Sequence, residues 1–109
     1  MTAMNEALER AVKIIIEVAD PDSIILFGSR SRGDEGKQSD FDVCVLKKGI
    51  VQKRKLAQRI YRSLYGIGAP VDIIVETPER LEELKNNPYM IYKNIAEQGN
   101  IIYEKSATG

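Results

Sequence analysis

The chain has 109 residues, and 16 Lys and Arg residues balance 16 Asp and Glu residues, so its formal net charge at pH 7 is zero. This length predicts one domain, residues 1–109, with a hydrophobic core of its own. A zero net charge gives no argument for a nucleic-acid or membrane partner. Because the sequence contains no histidine, imidazole chemistry is excluded. Any metal is then expected to be a hard cation with oxygen ligands, such as magnesium.

The only cysteine, Cys44, lies in an apolar run and cannot form a disulfide within the chain. This pattern predicts a small core residue in a reduced, intracellular protein. No apolar stretch approaches the roughly 20 residues that a membrane span needs. Residues 1–10 include two glutamates and lack the apolar centre of a signal peptide. The sequence therefore predicts a cytoplasmic location.

Apolar periodicity and turn residues predict the elements along the chain. Helical spacing predicts helices over residues 3–19 and 51–65, a third that starts at Thr77-Pro78 and ends by Asn87, and a fourth from Pro88 to Gly99. Short apolar runs predict four strands, at Ile24–Phe27, Asp40–Leu46, Val71–Glu76 and Ile101–Glu104. We expect the last strand at the sheet edge, a helical turn within 29–33 and disorder in 106–109. The order of elements predicts an α/β (α+β) fold, a small mixed sheet with helices packed on it.

Two acids at the start of the second predicted strand, Asp40 and Asp42, are the first candidate metal ligands. Side chains alternate along a strand, so both carboxylates point to one face, with Cα atoms about 6.5–7 Å apart. Two carboxylates this close repel each other, and a divalent cation is the usual compensating charge. The same alternation places Cys44 and Leu46 on the acid face and Val43 on the other.

A third acid, Asp72, stands near the start of the third predicted strand, as Asp42 does in its own. If the first two strands are antiparallel, Asp40 and Asp42 lie beside Gly28-Ser29 at the end of the first strand. If the second and third strands are parallel, with the helix 51–65 as their crossover, Asp72 lies beside these acids. Three such carboxylates can hold two metal ions about 4 Å apart for an in-line displacement at phosphorus. Candidate ligands for a triphosphate are the backbone N–H groups near Gly28 and the polar or basic side chains Ser29, Arg30, Arg32 and Lys37.

Together these residues resemble the DNA polymerase β-like nucleotidyltransferase superfamily. The resemblance rests on Gly28-Ser29, followed after ten residues by Asp40-Phe41-Asp42, with the third acid at Asp72. Arg32-Gly33 and Ser39, immediately before the first acid, fit as well. The short chain is similar to the minimal members of that superfamily, the MNT-type antitoxins, and the resemblance covers almost the whole chain.

The resemblance implies transfer of AMP from ATP to a tyrosine hydroxyl of a HEPN-type toxin, with release of pyrophosphate, so that the protein acts as an antitoxin. It implies that Asp40 and Asp42 bind two magnesium ions. Asp72 would join the ion that activates the acceptor hydroxyl, and Gly28 and Ser29 would bind the β- and γ-phosphates. The remaining candidate nucleotide ligands are Ser39, which fits the pattern, and Arg30 and Arg32, which have no fixed family position.

Other functions remain open on the sequence alone. The chain could neutralise its partner by contact, without catalysis, or transfer a nucleotide to a small molecule or an RNA, although little surface remains for such an acceptor. No acid occurs between Val43 and Val71, where the basic residues are Lys47, Lys48, Lys53, Arg54, Lys55, Arg59 and Arg62. We interpret them as a solvated helix face, because no aromatic platform for bases is evident, and do not expect a nucleic-acid partner. A homo-oligomer stays among the options.

Overall fold

The structure, a computed structural model, describes residues 6–28, 41–67 and 71–105. The helices within these ranges are α1 (Glu6–Ala19), α2 (Lys53–Ser63), α3 (Pro78–Leu84) and α4 (Ile91–Gln98). The strands are β1 (Ser23–Phe27), β2 (Phe41–Leu46), β3 (Val71–Glu76) and β4 (Asn100–Glu104). None of these helices is long and apolar enough to cross a membrane. The helical turn expected within 29–33 and the disorder expected in 106–109 lie outside the described residues.

The four strands form one mixed sheet in the order β3-β2-β1-β4. β1 runs antiparallel to both β2 and β4, whereas β2 and β3 are parallel and are joined by α2. These pairings confirm the mixed sheet, the antiparallel first pair, the crossover helix and the edge position of the last strand. Because β1 is central, its apolar run is buried on both faces, with Ile24 on one side and Ile25 and Phe27 on the other.

Helices cover both faces of the sheet. α1 and α2 pack on the face that carries Val43 and Val45, and Ile15 of α1 and Ile60 of α2 are fully buried there. A smaller cluster on the opposite face joins the sheet to α4 and consists of Ile25, Phe27, Cys44, Leu46 and Ile95. Full burial of a large aliphatic side chain contributes about 1.5–3 kcal/mol, so these two layers are the main source of stability for the sheet.

The buried side of α1 is wider than a single stripe. The apolar residues that recur at helical spacing along α1 form one buried stripe, namely Leu8, Ala11, Val12, Ile15 and Ala19. Ile14 and Ile16, which fall outside that stripe, are half-buried against the same core. The extra apolar width of α1 is therefore used, at least in part, within the chain.

The start of α4 differs from the prediction. The helix begins at Ile91 rather than at Pro88, because the residues from Asn87 to Met90 form a turn. The Asn87 side chain accepts the N–H of Tyr89 at 2.9 Å, and the N–H of Met90 donates to the carbonyl of Asn87 at 3.2 Å. An asparagine that bonds to its own backbone two residues on favours a turn over a helix. Met90 consequently becomes the N-cap.

A side chain of α2 supplies a hydrogen-bond partner at the outer edge of β3. The hydroxyl of Tyr61 accepts the backbone N–H of Ile73 at 2.7 Å. Edge strands present unpaired backbone groups, and this side chain supplies a partner for one of them. The bond also ties the last turn of α2 to Ile73, the residue that follows Asp72 in β3. The C-terminal end of α2 therefore lies at the end of the sheet where β3 begins.

Candidate active site

One end of the sheet brings together the end of β1 and the starts of β2 and β3. Phe27, the last residue of β1, pairs with Asp42, which pairs on its other side with Asp72. Gly28 follows Phe27 directly. The structure thus places Gly28, Asp42 and Asp72 side by side, in the strand directions that the sequence argument required.

The carboxylates of Asp42 and Asp72 start from neighbouring positions on parallel strands. Residues paired in this way point to the same face of the sheet, and adjacent strands are about 4.8 Å apart. Asp42 is half-buried, whereas Asp72 is exposed. The pair therefore combines a partly buried carboxylate, that of Asp42, with a solvent-exposed one, that of Asp72.

Gly28 is the residue against which the Asp42 carboxylate packs. Its φ of +83° is a left-handed conformation that residues with a side chain rarely adopt. A Cβ atom built at this position would collide with Oδ2 of Asp42 and would lie 3.2 Å from its Cγ. Glycine therefore allows the backbone at position 28 to lie against the carboxylate, which a larger residue could not do without moving it.

The acid-bearing face of the sheet becomes apolar beyond the acids. Cys44 and Leu46 follow Asp42 at every second position and are buried together with Ile25. Burial, with a smaller contribution from the Glu76 carboxylate, raises the pKa of the Cys44 thiol to about 12. The thiol is thus protonated at neutral pH, and the prediction that Cys44 is a core residue is confirmed. The acids stand at the rim of an apolar layer, where electrostatic interactions are stronger than in water.

The chemistry of this end of the sheet fits a magnesium site. Its donors are carboxylate oxygens, which hard divalent cations prefer, and two carboxylates on adjacent strands need a compensating charge. Within residues 6–28, 41–67 and 71–105, no three His, Cys, Asp or Glu side chains form a metal-binding group. Asp40, the third predicted ligand, lies outside those ranges. So do the predicted nucleotide ligands Ser29, Arg30, Arg32, Lys37 and Ser39.

A buried carboxylate that the sequence patterns above do not single out lies at the opposite end of β3. Glu76 is only 3% exposed. Its Oε2 accepts from Lys53 Nζ at 2.7 Å and from the N–H of Thr77 at 3.1 Å, and its Oε1 accepts from the Tyr92 hydroxyl at 2.6 Å. Burial acts to raise the pKa of Glu76, but the bonds from Lys53, Tyr92 and Thr77 outweigh it and hold the pKa below its ordinary value.

The Glu76 cluster supports the scaffold of the site. Lys53 is the first residue of α2, and Tyr92 belongs to α4. Thr77 is the N-cap of α3, as predicted, and its hydroxyl accepts the N–H of Arg80 at 3.1 Å. The cluster therefore ties three helices to β3 at the end remote from the acids. A sequence clue was available, because Glu76 ends an apolar strand directly before a strong helix start.

A mixed sheet that presents a glycine turn and two carboxylates at one end is suited to displacement chemistry at phosphorus. The family model described as Polymerase beta, Nucleotidyltransferase matches residues 9–108. The chain therefore belongs to this nucleotidyltransferase family, and it is an enzyme of the nucleotidyltransferase class. The family resemblance inferred from Gly28-Ser29 and the acids is confirmed, and so is the fold class.

Similar proteins include a named adenylyltransferase and chains of toxin–antitoxin structures. A Methanocaldococcus jannaschii protein named "Putative protein adenylyltransferase MJ0604" is 29% identical over 106 residues, covering 92% of this chain and 100% of that protein. A structure of a mutant of the toxin–antitoxin MntA-HpeT matches at 21% identity with a TM-score of 0.60, covering 94% of this chain and 75% of that chain.

Two further structures share the fold. A toxin–antitoxin structure with AMP-PNP matches at 22% identity with a TM-score of 0.56, covering 89% of this chain and 73% of that chain. The tri-AMPylated Shewanella oneidensis HEPN toxin in complex with MNT antitoxin supplies a match at 19% identity with a TM-score of 0.53, over 91% of this chain and 71% of that chain. At these identities the structural matches show a common fold.

Proposed function

We propose that this protein transfers AMP from ATP to a tyrosine hydroxyl of a HEPN-type toxin and thereby acts as its antitoxin. The observation that carries the proposal is the side-by-side placement of Gly28, Asp42 and Asp72 at one end of the sheet. Membership of the family supplies the reaction class. The relatives support the donor and the acceptor, since one structure holds AMP-PNP and another holds an AMPylated HEPN toxin with its MNT antitoxin.

In the proposed reaction, the acceptor oxygen attacks the α-phosphorus of ATP. A new oxygen–phosphorus bond forms, and the bond to the bridging oxygen of the β-phosphate breaks, so pyrophosphate leaves. The carboxylate of Asp72 takes the proton of the acceptor hydroxyl, and its exposure to solvent leaves it within reach of an incoming partner. The carboxylate of Asp42 is half-buried against Gly28 and therefore keeps a set position relative to the sheet. Magnesium ions bound by Asp40, Asp42 and Asp72 would supply neutralisation of phosphate charge.

The triphosphate is proposed to bind along the turn that follows β1. Backbone N–H groups in a glycine turn form an anion-binding concavity, and guanidinium groups hold phosphate oxygens with two parallel hydrogen bonds. The side chains proposed to complete this cradle are those of Ser29, Arg30, Arg32 and Ser39. They follow Gly28 directly or precede the acids directly in the sequence.

The position of Asp72 supports a protein acceptor. β3 is an edge strand of the described sheet, and Asp72 is exposed near its start. A hydroxyl presented by another protein can approach this carboxylate from solvent. Small substrates, in contrast, bind in clefts that bury most of their surface. The partner would then complete the acceptor side of the site.

Transfer of label from ATP tests the proposal. The protein is incubated with magnesium, the HEPN-type protein encoded beside it and ATP radiolabelled in the α-phosphate. Asp42→Asn and Asp72→Asn should each reduce labelling of the partner by at least about 10²-fold, because each removes a charged group from the reacting centre. Glu104→Gln, an exposed acid on β4, is the matched control and should label at the normal rate. Retained labelling by a folded Asp42→Asn variant would show that the proposed site is wrong.

A second experiment separates catalysis from neutralisation by contact. The double variant Asp40→Asn with Asp42→Asn is expressed together with the toxin, and growth is compared with that of cells expressing the unchanged pair. We expect protection to be lost. If the double variant protects the cells fully while the label assay detects no transfer, the protein neutralises its partner by binding alone.

A further inference from the structure

The outer side of α2 carries a group of exposed positive charges. Lys55, Arg59 and Arg62 follow one another at positions i, i+4 and i+7, so they form one stripe about 10 Å long, with Arg54 beside it. All four residues are exposed. Within the part of the chain that the structure describes, none of the four takes part in an ion pair. We call Arg54, Lys55, Arg59 and Arg62 the basic face.

The N-terminal cations of the basic face, Arg54 and Lys55, work against the stability of their own helix. α2 has no acidic residue in its first turn, and its N-cap, Gln52, makes no side-chain capping bond. Arg54 and Lys55 lie at the end of the helix where the backbone dipole is already positive. Lys55 and Arg59 add repulsion between like charges four residues apart. Lys53 differs, because it pairs with the buried Glu76. Charge that weakens the start of a helix and forms no ion pair within residues 6–28, 41–67 and 71–105 fits an anionic partner outside the chain.

An exposed aromatic ring continues the basic face. Tyr65 follows Arg62 by three residues and is 92% exposed, whereas Tyr61 is 44% exposed and is held by its bond to Ile73. The ring of Tyr65 is therefore available to a ligand that also contacts Arg62. Cationic groups that track a phosphate chain, together with aromatic rings that stack on bases, are the combination found in proteins that bind single strands. The sequence does not reveal this ring, because it does not show which of the tyrosines is exposed.

We propose that the basic face and Tyr65 bind single-stranded nucleic acid, with the cations on phosphates and the ring stacked on a base. A single strand fits better than a duplex, because stacking on a side chain requires a base that is not already stacked. An acidic protein surface fits less well. The core of a protein interface is desolvated and depleted in charged residues, whereas Lys55 and Arg59, at the centre of this face, are charged and exposed. The proposal does not depend on the adenylyl transfer proposed above.

Fluorescence anisotropy with labelled oligouridine and oligothymidine tests the proposal. Strands of about 12 nucleotides lie within the site sizes of known single-strand binders. We expect binding at low salt, with the logarithm of affinity falling against the logarithm of salt at a slope of about −2 to −3, as three or four phosphate contacts require. The strand that binds more tightly shows whether RNA or DNA is the source of the ligand.

Charge reversal tests the stripe. Arg59→Glu with Arg62→Glu should weaken binding by at least about tenfold and flatten the salt slope by about 1.4, since two phosphate contacts are lost. The matched control is Arg80→Glu with Lys93→Glu, which changes the net charge equally on α3 and α4. The surface ion pairs that it removes contribute little to stability, and it should keep the slope. Circular dichroism checks that each variant is folded.

Changes at Tyr65 test the stacking contact. Tyr65→Ala should weaken binding about fivefold or more, and Tyr65→Phe should bind normally, because stacking needs the ring and not the hydroxyl.

Three results would overturn the proposal. They are no binding by the unchanged protein at low salt, equal losses in the two charge-reversal variants, and full displacement of the strands by polyglutamate combined with no effect of Tyr65→Ala. The last result would identify an acidic protein as the partner.

Discussion

Replacing Gly28 with alanine should show whether activity depends on the position of the Asp42 carboxylate. At the observed φ of +83°, a residue with a side chain costs about 1–2 kcal/mol of folding free energy. The new methyl group would also collide with Oδ2 of Asp42. The carboxylate would have to move by roughly 1 Å, and a displacement of that size at a reacting centre costs about 10²-fold in rate.

Gly49→Ala is the matched control for this change. Gly49 has a φ of +77°, and a Cβ atom there would meet nothing within 4 Å. Both variants should therefore lose about 1–2 kcal/mol in urea unfolding. Only Gly28→Ala should lower the initial rate of AMP transfer, measured where both proteins are fully folded. Equal transfer rates in the two variants would show that activity does not require the Asp42 carboxylate at its place against Gly28.

Three further predictions concern the scaffold. Glu76→Gln should lower the free energy of unfolding at neutral pH by about 1–3 kcal/mol, since charged hydrogen bonds are lost. The folded-state pKa of Glu76 lies below its unfolded value, so its contribution is present above the unfolded pKa and fades as the pH falls through the folded pKa. The difference from the unchanged protein should shrink in acid, and a constant difference would contradict this assignment. Tyr61→Phe should cost about 0.5–1.5 kcal/mol in the same assay by removing the partner of an edge N–H, while Tyr65→Phe should cost nothing measurable. Cys44 should react with a thiol reagent at mildly alkaline pH only after unfolding, because it is buried with a pKa near 12, and fast reaction of the folded protein would show that it is accessible.

The acids could be located from the sequence because they interrupt a simple pattern. Asp42 and Asp72 each stand near the start of a short apolar run that reads as a buried strand. The period of two then predicts which neighbours share their face, and Cys44 and Leu46 do lie on that face in the structure. A glycine after a strand added the third landmark. The structure shows where Gly28, Asp42 and Asp72 lie, but their roles in binding and catalysis, like those of Asp40, Ser29 and the arginines after Gly28, stay predictions.

Three features could not be predicted in the same way. They are the Glu76 cluster, the bond between the Ile73 N–H and the Tyr61 hydroxyl, and the start of α4. Glu76 finds its partners 23 residues before it, at Lys53, and 16 residues after it, at Tyr92. No local period reports such contacts, because they depend on how helices cross the sheet. Pro88 is a good first residue for a helix, but the side chain of Asn87 offered the backbone a competing turn.

By itself the sequence determined the order of helices and strands, the sides on which their apolar residues lie and the family to which the chain belongs. The first two follow from backbone geometry that repeats every two or 3.6 residues, and the family follows from the spacing of Gly28-Ser29 and the acids. Only the tertiary structure shows the register that pairs Asp42 with Asp72 and the contact of the Asp42 carboxylate with Gly28. Register depends on the packing of both faces against helices, since a slip of one residue would turn Asp42 to the opposite face of the sheet.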